Sequence, residues 1–326
     1  MPIDALFLGG TSIDLIQESV EGSRDRPLHN FTESVGGSIT NSAIIAAKLG
    51  VRTGLLSKIG RDTFGNFARH YLRMSKIDTE GMIQDFNIRT PIAVAKINKS
   101  GIAKYKFYKN SPKDSVVPIK TTPKYLLNTC KVFHTGSSYS YHKETFEETL
   151  KFIRYLKKRH VFISYDPNIR PGSISHKKQV KNRVLKLLKL ADLAKLSETD
   201  LEYLTGQKNP LKGLGTLKKQ VKCELVLTLG SKGSVHLVGG RRPPTRWITV
   251  PAFKVKVADT IGAGDAFTAG LIYKLIKQGR GKFFADIKAN MTFASAVSAL
   301  ICTQKGSHKG LKDIKQVNSF LQEVKT

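Results

Sequence analysis

The sequence predicts an α/β fold in which helices flank a mostly parallel central sheet and a small second sheet lies beside it. Three observations support this prediction. After residue 125, short apolar segments alternate with longer segments of helical periodicity. A glycine-rich turn at residues 259–267 precedes an apolar helical pattern. Two extended segments near residue 100 form a hairpin pattern outside that alternation.

The composition is that of a folded globular protein. The chain has 326 residues, of which 40% are apolar and 24% charged, and we predict one domain over residues 1–326. Its three cysteines are far apart and form no metal-binding pair, which favours a reducing cytoplasm. The start resembles no signal peptide, and no apolar stretch is long enough for a membrane span, so we expect neither export nor insertion.

The first third of the chain contains one strand, one helix and the small sheet. Residues 5–8 are apolar and predict a buried strand. Thr40 or Asn41 caps a predicted helix that ends near Gly50. Residues 91–98 and 102–108 predict a hairpin, and with residues 13–31 it forms the small sheet.

The remainder of the chain predicts a parallel sheet with crossover helices. The predicted strands are residues 132–134, 161–165, 193–196 and 225–229, and the helices between them are residues 146–156 and 180–190. From Gly264 onward we predict three helical segments, broken at residues 279–281 and 306–310.

The turn at residues 259–267 is the strongest candidate for a functional site. In parallel sheets, ligands collect where strands end and helices begin, because helix N-termini offer free amides to anions. Gly262 and Gly264 allow the backbone to approach a phosphate closely. Asp265 would repel such a ligand, which indicates a role in the reaction; alternatively, it is a first-turn residue that complements the helix dipole.

Three segments together resemble the ribokinase (pfkB) family of carbohydrate kinases. Residues 259–267 match its C-terminal signature, D-T-x-G-A-G-D-x-F, residues 36–41 match its GG-x-x-x-N element, and residues 166–170 resemble the DPNxR segment of its branches that act on fructose or 2-keto-3-deoxygluconate. The resemblance extends from Asp14 to Gly306 and implies the three-layer ribokinase-like fold, with a β-sheet lid formed by about residues 12–35 and 90–110.

The resemblance implies ATP-dependent phosphorylation of a sugar hydroxyl. Asp265 would accept the hydroxyl proton, and the amides of Gly262, Ala263 and Gly264 would form an anion hole for the transferred group. We expect the carboxyl to have a depressed pKa and hence to be a weak base. That is sufficient for a loose phosphoryl transfer, in which positioning and electrostatics dominate.

The resemblance also implies a sugar site. Its predicted residues are Ser12, Asp14, Gly37, Asn41 and Arg170. By position alone, Asp14 equally fits a solvated turn and Asn41 a helix cap. The DPNxR segment favours fructose or a keto-sugar acid, while ribose and, within the same family, a nucleoside remain alternatives. The lid would exclude water, and its edges would pair in a homodimer.

The nucleotide and metal sites follow from the resemblance in the same way. The predicted nucleotide residues are Ser197, Thr228, Gly230, Gly233 and Ser295; residues 228–233 alone would predict only a strand and a turn. Mg²⁺ would be bound mostly through ATP oxygens and water. The family places Glu where Asp200 stands, which shortens the reach toward that ion. Asp259 and Gly306 match a monovalent-cation loop, which leaves activation by K⁺ open.

The charge of the chain raises a function of another class. Lysine and arginine number 54 against 25 acidic residues, giving +29, so nucleic acid is a conceivable partner. The basic pairs are scattered along the chain, however, at residues 157–159, 177–178, 218–219 and 241–242. Functional nucleic-acid binders concentrate such charge in one patch or arm with interleaved aromatic residues. The sequence therefore favours the kinase.

Overall fold

The computed structural model describes residues 2–23, 26–97, 103–108, 110–238 and 246–324. The strands are β1 (Ala5–Leu8), β2 (Ser12–Ser23), β3 (Arg26–Gly36), β4 (Thr53–Leu56), β5 (Lys58–Gly60), β6 (Ile77–Asp78), β7 (Ile83–Asp85), β8 (Ile92–Ile97), β9 (Ala103–Tyr108), β10 (Val132–Gly136), β11 (Phe162–Asp166), β12 (Leu193–Ser197), β13 (Glu224–Thr228), β14 (Ser234–Val238) and β15 (Arg246–Val250). The helices are α1 (Ser38–Lys48), α2 (Thr63–Met74), α3 (Lys124–Thr129), α4 (Lys143–Lys157), α5 (Lys177–Leu190), α6 (Glu198–Thr205), α7 (Pro210–Lys218), α8 (Ala263–Ala285), α9 (Ile287–Cys302) and α10 (Ile314–Glu323).

The central sheet has nine strands in the order β15-β14-β13-β12-β11-β10-β1-β4-β6. Neighbouring strands from β13 to β6 pair in parallel, whereas β14 and β15 are antiparallel. Parallel strands need crossover connections, which the helices between them supply. The mostly parallel sheet predicted from the alternation of segments is therefore confirmed.

The two faces of this sheet are covered by different helices, which gives three layers. Along β1, Ala5 and Phe7 belong to the apolar cluster that includes α1, α8 and α9, whereas Leu6 and Leu8 belong to the cluster that includes α3 to α7. Successive side chains of a strand point to opposite faces, so one apolar strand contributes to both clusters.

The smaller sheet has four strands in the order β3-β2-β8-β9. The predicted hairpin is confirmed, since β8 and β9 pair antiparallel from Ile92 opposite Tyr108 to Ile97 opposite Ala103. Its turn, residues 98–102, lies outside the described residues, as do the predicted basic residues 241–242. Strands β2 and β3 form a long antiparallel pair, from Ser12 opposite Gly36 to Ser23 opposite Arg26.

The cap of the first helix, Gly37, lies three residues before Thr40 and four before Asn41, the two caps that the sequence predicted. Gly37 precedes α1 and has φ of +105°, so Asn41 lies within the first turn rather than at the cap. A side chain at Gly37 would place its Cβ 2.3 Å from the Gly10 carbonyl oxygen. Only glycine fits this close approach. The predicted end is confirmed, because Gly50 adopts φ of +90° directly after the helix.

The C-terminal helices also differ in detail from the prediction. The predicted break at Gly279 is confirmed, since its φ of +75° and ψ of +162° are not helical and separate two helical segments within α8, but Asp286 adds a break that the sequence did not predict. The next helix begins after Asp286, and α10 follows the predicted break near Gly306. Within the described part of the chain, no helix combines the length and the apolar character that a bilayer span requires.

Candidate active site

A cavity of about 310 Å³ opens at the carboxyl ends of the parallel strands, where α1 and α8 begin. Its lining includes Asp14, Asn41, Arg170, Lys195 and Asp265. These residues come from widely separated parts of the sequence, and the fold brings them to the edge of the sheet where ligands of parallel α/β proteins collect. The carboxylate, amide, guanidinium and ammonium groups of the first four residues can bind a polyhydroxylated ligand and its phosphate.

Asp265 borders this cavity from the first turn of α8. Its side chain is buried, and each carboxylate oxygen accepts a hydrogen bond from α1: Oδ1 from the Ser38 hydroxyl at 2.7 Å and Oδ2 from the Asn41 amide at 3.0 Å. The Ser42 hydroxyl donates to the Asp265 carbonyl at 3.1 Å. Ser38 and Asn41 are three residues apart and therefore share one face of α1.

The two donors to Asp265 are themselves held in place. The Asn168 amide donates to Ser38 Oγ at 2.8 Å, so the hydroxyl proton of Ser38 is directed to Asp265. The Ser307 hydroxyl donates to Asn41 Oδ1 at 3.0 Å, which leaves the amide nitrogen of Asn41 facing Asp265. A carboxylate has about four lone-pair positions, so Asp265 retains acceptor capacity for one more donor from the cavity.

The pKa of Asp265 is raised, and the depressed pKa expected from the sequence is wrong. Burial disfavours the charged carboxylate and outweighs the hydrogen bonds from Ser38 and Asn41 and the positive charge of Lys195, which all lower the pKa. The sequence indicated the amides around the carboxyl but not its burial beneath α1. A raised pKa makes this carboxylate a better base than expected.

The glycine-rich turn places two amides beside Asp265. Gly262, with φ of +79°, precedes α8, and a Cβ there would lie 2.2 Å from the Ser307 carbonyl oxygen. Gly262 and Gly264 line the cavity, whereas the amide of Ala263 donates to the Thr260 carbonyl at 3.2 Å. The first amides of a helix have no partner inside the helix. Gly262 and Gly264 are therefore the residues of this turn whose amides are candidates for an anion in the cavity.

Asp14 faces Asp265 from the first strand of the small sheet. The Ser12 hydroxyl donates to Asp14 Oδ1 at 3.2 Å. Gly36 lies so close that a Cβ there would be 2.2 Å from Asp14 Oδ2. Burial raises the pKa of Asp14 to about 6, against opposing effects of the Ser12 hydroxyl and of Arg170. Asp14 therefore lies on a strand and lines the cavity. The alternative prediction, that Asp14 is a solvated turn residue, is wrong.

A second cavity, of about 520 Å³, adjoins the first and shares Ser38, Phe107 and Arg170 with it. It includes two of the predicted sugar residues, Ser12 and Gly37, together with the rings of Tyr139 and Tyr141. The Arg170 guanidinium lies 6.0 Å from the centre of the Phe107 ring. All five predicted sugar residues therefore line one or both of two contiguous cavities.

The residues predicted to contact the nucleotide lie near the ends of β12 and β13, on α9 and in the following turn. Ser197 pairs with Thr228 in the strand register, and the Thr228 hydroxyl donates to the Leu196 carbonyl at 3.1 Å. Gly230 and Gly233 have φ of +55° and +97° in the turn before β14, and Ser295 is buried on α9. Their contacts with ATP remain predictions.

The carboxylates predicted near metal ions make structural contacts. Asp200 is buried, its Oδ2 accepts the Ser197 amide at 2.7 Å in a capping box, and its Oδ1 accepts the Ile169 amide at 2.6 Å. Asp259 accepts the amides of Ile261 and Gly306 at 3.0 and 3.1 Å. Within residues 2–324, apart from the undescribed gaps, no three His, Cys, Asp or Glu side chains gather as a metal site.

The site contains a buried ion pair that sequence reasoning missed. Lys195 Nζ lies 2.8 Å from Asp166 Oδ2, and both side chains are almost fully buried. The signal was a single lysine inside the apolar segment 193–196, read only as a strand. Ser38 and Asn168 were also missed, although both belong to segments that carried the family resemblance.

Residues 3–314 match the family described as pfkB family carbohydrate kinase. The chain belongs to this family. Being a carbohydrate kinase, it is a phosphotransferase that acts on a sugar. Curated relatives include fructokinase-1 of Zea mays, 28% identical over 307 residues and 90% of each chain, and fructokinase-2 of Solanum lycopersicum, 29% identical over 299 residues, 90% of this chain and 88% of the relative.

Solved structures confirm the ribokinase-like fold of this carbohydrate kinase. The fructokinase of Xylella fastidiosa with bound ATP superposes with a TM-score of 0.87 over 100% of both chains, at 24% identity. The fructokinase of Vibrio cholerae with fructose, ADP and calcium gives 0.81 at 25% identity, and the aminoimidazole riboside kinase of Salmonella enterica gives 0.81 at 21% identity. The last two cover 98% of this chain and 99% of the other.

Proposed function

We propose that this carbohydrate kinase transfers the γ-phosphoryl group of ATP to a hydroxyl of a small ketose, with fructose as the first candidate. The observation that carries the proposal is the shared cavity, in which Asp265 faces Asp14 across a space bordered by the amides of Gly262 and Gly264. The names of the plant relatives and of the Vibrio structure, which holds fructose, support the choice of sugar.

In the proposed reaction, the sugar hydroxyl oxygen attacks the γ-phosphorus as the bond to the β–γ bridging oxygen breaks. The bridging oxygen keeps that electron pair and leaves with ADP, and the hydroxyl proton passes to the Asp265 carboxylate. The Gly262 and Gly264 amides donate to the transferred group. Ser38 and Asn41 fix the carboxylate, so little reorganisation is needed when the proton arrives.

Asp14 and Asn41 would orient the sugar, since their side chains accept and donate hydrogen bonds to neighbouring hydroxyls. Mg²⁺ would be bound by oxygens of the triphosphate and by water, and would neutralise charge there. Asp200, the carboxylate predicted near this ion, is buried and both its oxygens accept hydrogen bonds, so it does not fit a direct ligand of the ion. The Asp259 and Gly306 loop remains the candidate for K⁺, an ion that a Vibrio cholerae fructokinase double mutant holds in its crystal structure.

The small sheet is the proposed lid over this site. Its residues Asp14 and Phe107 line the cavity, so a movement of the sheet would change the access of water to the reacting phosphate. Strands β3 and β9 form its two edges, and we propose that one edge pairs with a second copy in a homodimer. Sedimentation of the purified protein tests this.

A cytoplasmic location fits three free cysteines.

A specific observation favours a second candidate, a nucleoside kinase of the same family. The second cavity is bordered by Tyr139, Tyr141 and Phe107, and such rings suit a planar base attached to the sugar. The aminoimidazole riboside kinase of Salmonella enterica has the same fold.

One experiment separates the two candidates. Fructose, ribose, 2-keto-3-deoxygluconate and adenosine are each incubated with ATP, Mg²⁺ and the protein, and the phosphorylated product is identified by phosphorus NMR. We expect the highest kcat/KM with fructose. A higher kcat/KM with adenosine selects the second candidate, and ATP turnover with none of the four contradicts the proposed function.

A further inference from the structure

Lys195 is a buried cation whose position the proposed reaction has not yet used. It lies on β12 between the buried residues Ala194 and Leu196, and only 6% of its surface is exposed. A charge in such a place is expensive unless it is paired and hydrogen-bonded. A buried ion pair seldom stabilises a fold more than apolar residues of the same size. The lysine is therefore poorly explained by folding alone.

Asp166 holds the Lys195 ammonium in place. The two residues directly follow the last pair in the register of β11 and β12, Tyr165 opposite Ala194, and their charged atoms are 2.8 Å apart. The other oxygen of Asp166, Oδ1, accepts a hydrogen bond from the backbone amide of Asn168 at 3.1 Å. Asp166 thus links the ammonium to the turn whose Asn168 side chain orients Ser38 toward Asp265.

The ammonium lies against the glycine-rich turn. A Cβ built on Gly264 would be 3.1 Å from Lys195 Nζ, so the cation lies against one of the two glycines of this turn that line the cavity. Lys195 also lines the cavity with Gly262 and Asp265. An anion bound by those amides would be within reach of the ammonium.

The cavity is lined by both carboxylates and cations, and Lys195 is the cation on the side of the glycine-rich turn. Two carboxylates, Asp14 and Asp265, line it, and among the described lining residues the lysine and arginine cations are Arg170 and Lys195. Arg170 lies on the side of Phe107 and the second cavity, whereas Lys195 lies on the side of the amides. Burial lowers the pKa of Lys195, but the carboxylates of Asp166 and Asp200 outweigh it and raise the pKa.

We propose that Lys195 is a catalytic residue that donates a hydrogen bond to the phosphoryl group during its transfer, and that Asp166 positions it. The inference rests on the proposed function. The bonds that form and break remain those between the sugar oxygen, the γ-phosphorus and the bridging oxygen. Lys195 gives up no proton, and its positive charge offsets the charge of the transferred group.

The test compares Lys195→Met with Lys218→Met. Lys218 is an equally buried lysine on α7 that donates to the Cys223 carbonyl at 2.9 Å and lies outside the cavity, so it controls for the loss of a buried ammonium. Calorimetry measures the binding of ADP and of the non-hydrolysable analogue AMP-PNP, and steady-state kinetics measures kcat with ATP and fructose.

We expect Lys195→Met to weaken AMP-PNP binding by about tenfold and ADP binding by less than about threefold, because only AMP-PNP has a γ-phosphate. We expect kcat to fall about 10²- to 10³-fold, as on removal of one donor to a transition-state oxyanion. Lys218→Met should lower the urea midpoint and leave kcat and both affinities unchanged. Equal losses for ADP and AMP-PNP, or a kcat within about threefold of the parent, would overturn the inference.

Lys195→Arg gives the same test if the methionine variant does not fold. The longer planar guanidinium cannot occupy the position of the ammonium, so we expect kcat to fall at least about tenfold; an unchanged kcat also overturns the inference. The two proposals fail differently. A parent protein that phosphorylates no sugar contradicts the proposed function, whereas an active parent with an equally active Lys195→Met variant contradicts only the role of Lys195.

Discussion

Asp265 acquires its properties from the residues that surround it. Burial raises its pKa, while the donors Ser38 and Asn41 lower it and fix its two oxygens. A buried carboxylate with ordered donors can hold a negative charge and still be a stronger base than an exposed aspartate. The reactivity of this residue therefore depends on α1 as much as on its own turn.

The hydrogen bond from Ser38 makes the pH profile testable. A general base is inactive when protonated, so kcat/KM should fall on the acid side through a pKa above the ordinary value for aspartate. Removal of the Ser38 hydroxyl in Ser38→Ala takes away a bond that lowers this pKa, so the acid limb should move to higher pH.

Ser298→Ala is the matched control for this profile. Its hydroxyl donates to the Ala263 carbonyl at 2.9 Å, on the same helix but not to the Asp265 carboxylate. The control should leave the acid limb where it is. An acid limb of Ser38→Ala that stays in place or moves to lower pH contradicts the assigned coupling.

The ionised carboxylate of Asp14 is expected to lower the stability of the fold while it binds the sugar. Its pKa is raised to about 6 in the folded state, above the ordinary value of 3.8, so the folded protein binds this proton more tightly than the unfolded chain. The contribution of Asp14 to the free energy of unfolding is therefore greatest below pH 4 and is lost as the pH rises to 6. The loss is at most about 3 kcal/mol.

Asp14→Asn should remove this dependence. Urea unfolding should show the variant more stable than the parent at pH 7.5 and equal to it at pH 4, while the KM for the sugar rises. A variant that is less stable than the parent at pH 7.5 contradicts the claim that burial of the Asp14 carboxylate outweighs its contacts with Ser12 and Arg170.

At the scale of elements, local patterns predicted the type of each strand and helix better than its ends. The alternation after residue 125 predicted β10 to β13 and the helices α4 and α5, because apolar periodicity reflects burial on one or two faces. The start of α1 was misplaced, because the close approach of Gly37 to Gly10 is a tertiary contact that no local pattern shows.

Gly37→Ala measures what that close approach contributes. Gly50→Ala is the matched control, since Gly50 also has a positive φ but a Cβ there would meet nothing within 4 Å. In both variants alanine is strained at a positive φ, at a cost of about 1 to 2 kcal/mol, and only Gly37→Ala adds a clash with the Gly10 carbonyl. We expect the urea midpoint of Gly37→Ala to be clearly the lower of the two. Equal midpoints contradict the contact.

At the scale of the whole molecule, the charge of +29 is spread over separate segments of the chain and not gathered in one binding patch. The basic runs near residues 157–159, 177–178 and 218–219 lie at the ends of α4, the start of α5 and the end of α7. A net positive protein attracts anions and raises their local concentration. At the proposed active site, such a field would raise the local concentration of ATP.

The field predicts that salt affects the two substrates differently. The KM for ATP should rise between low and physiological ionic strength because screening weakens the attraction of an anion, whereas the KM for fructose, which is uncharged, should stay constant. Initial rates measured at several NaCl concentrations provide both values. A KM for fructose that rises as steeply as that for ATP contradicts the electrostatic explanation.

The candidate site could be predicted where the glycine-rich turn or the family resemblance pointed to particular residues. Asp265, Asn41 and Asp14 were found in this way, and the structure brings them to one cavity. Lys195 and Asp166 form a pair across two strands 29 residues apart, and their proximity follows from sheet register and not from spacing along the chain. Buried charge pairs of this kind become visible only when strand order is known.

The removal of proton-accepting capacity at Asp265 tests the central claim most directly. Asp265→Asn keeps the size of the side chain, and Asp313→Asn is the matched control, because Asp313 caps α10 and asparagine caps as well as aspartate. With ATP and fructose, we expect kcat of Asp265→Asn to fall about 10²- to 10⁴-fold while AMP-PNP still binds and Asp313→Asn keeps full activity. A kcat of Asp265→Asn within about threefold of the parent would contradict the assignment of Asp265 as the base.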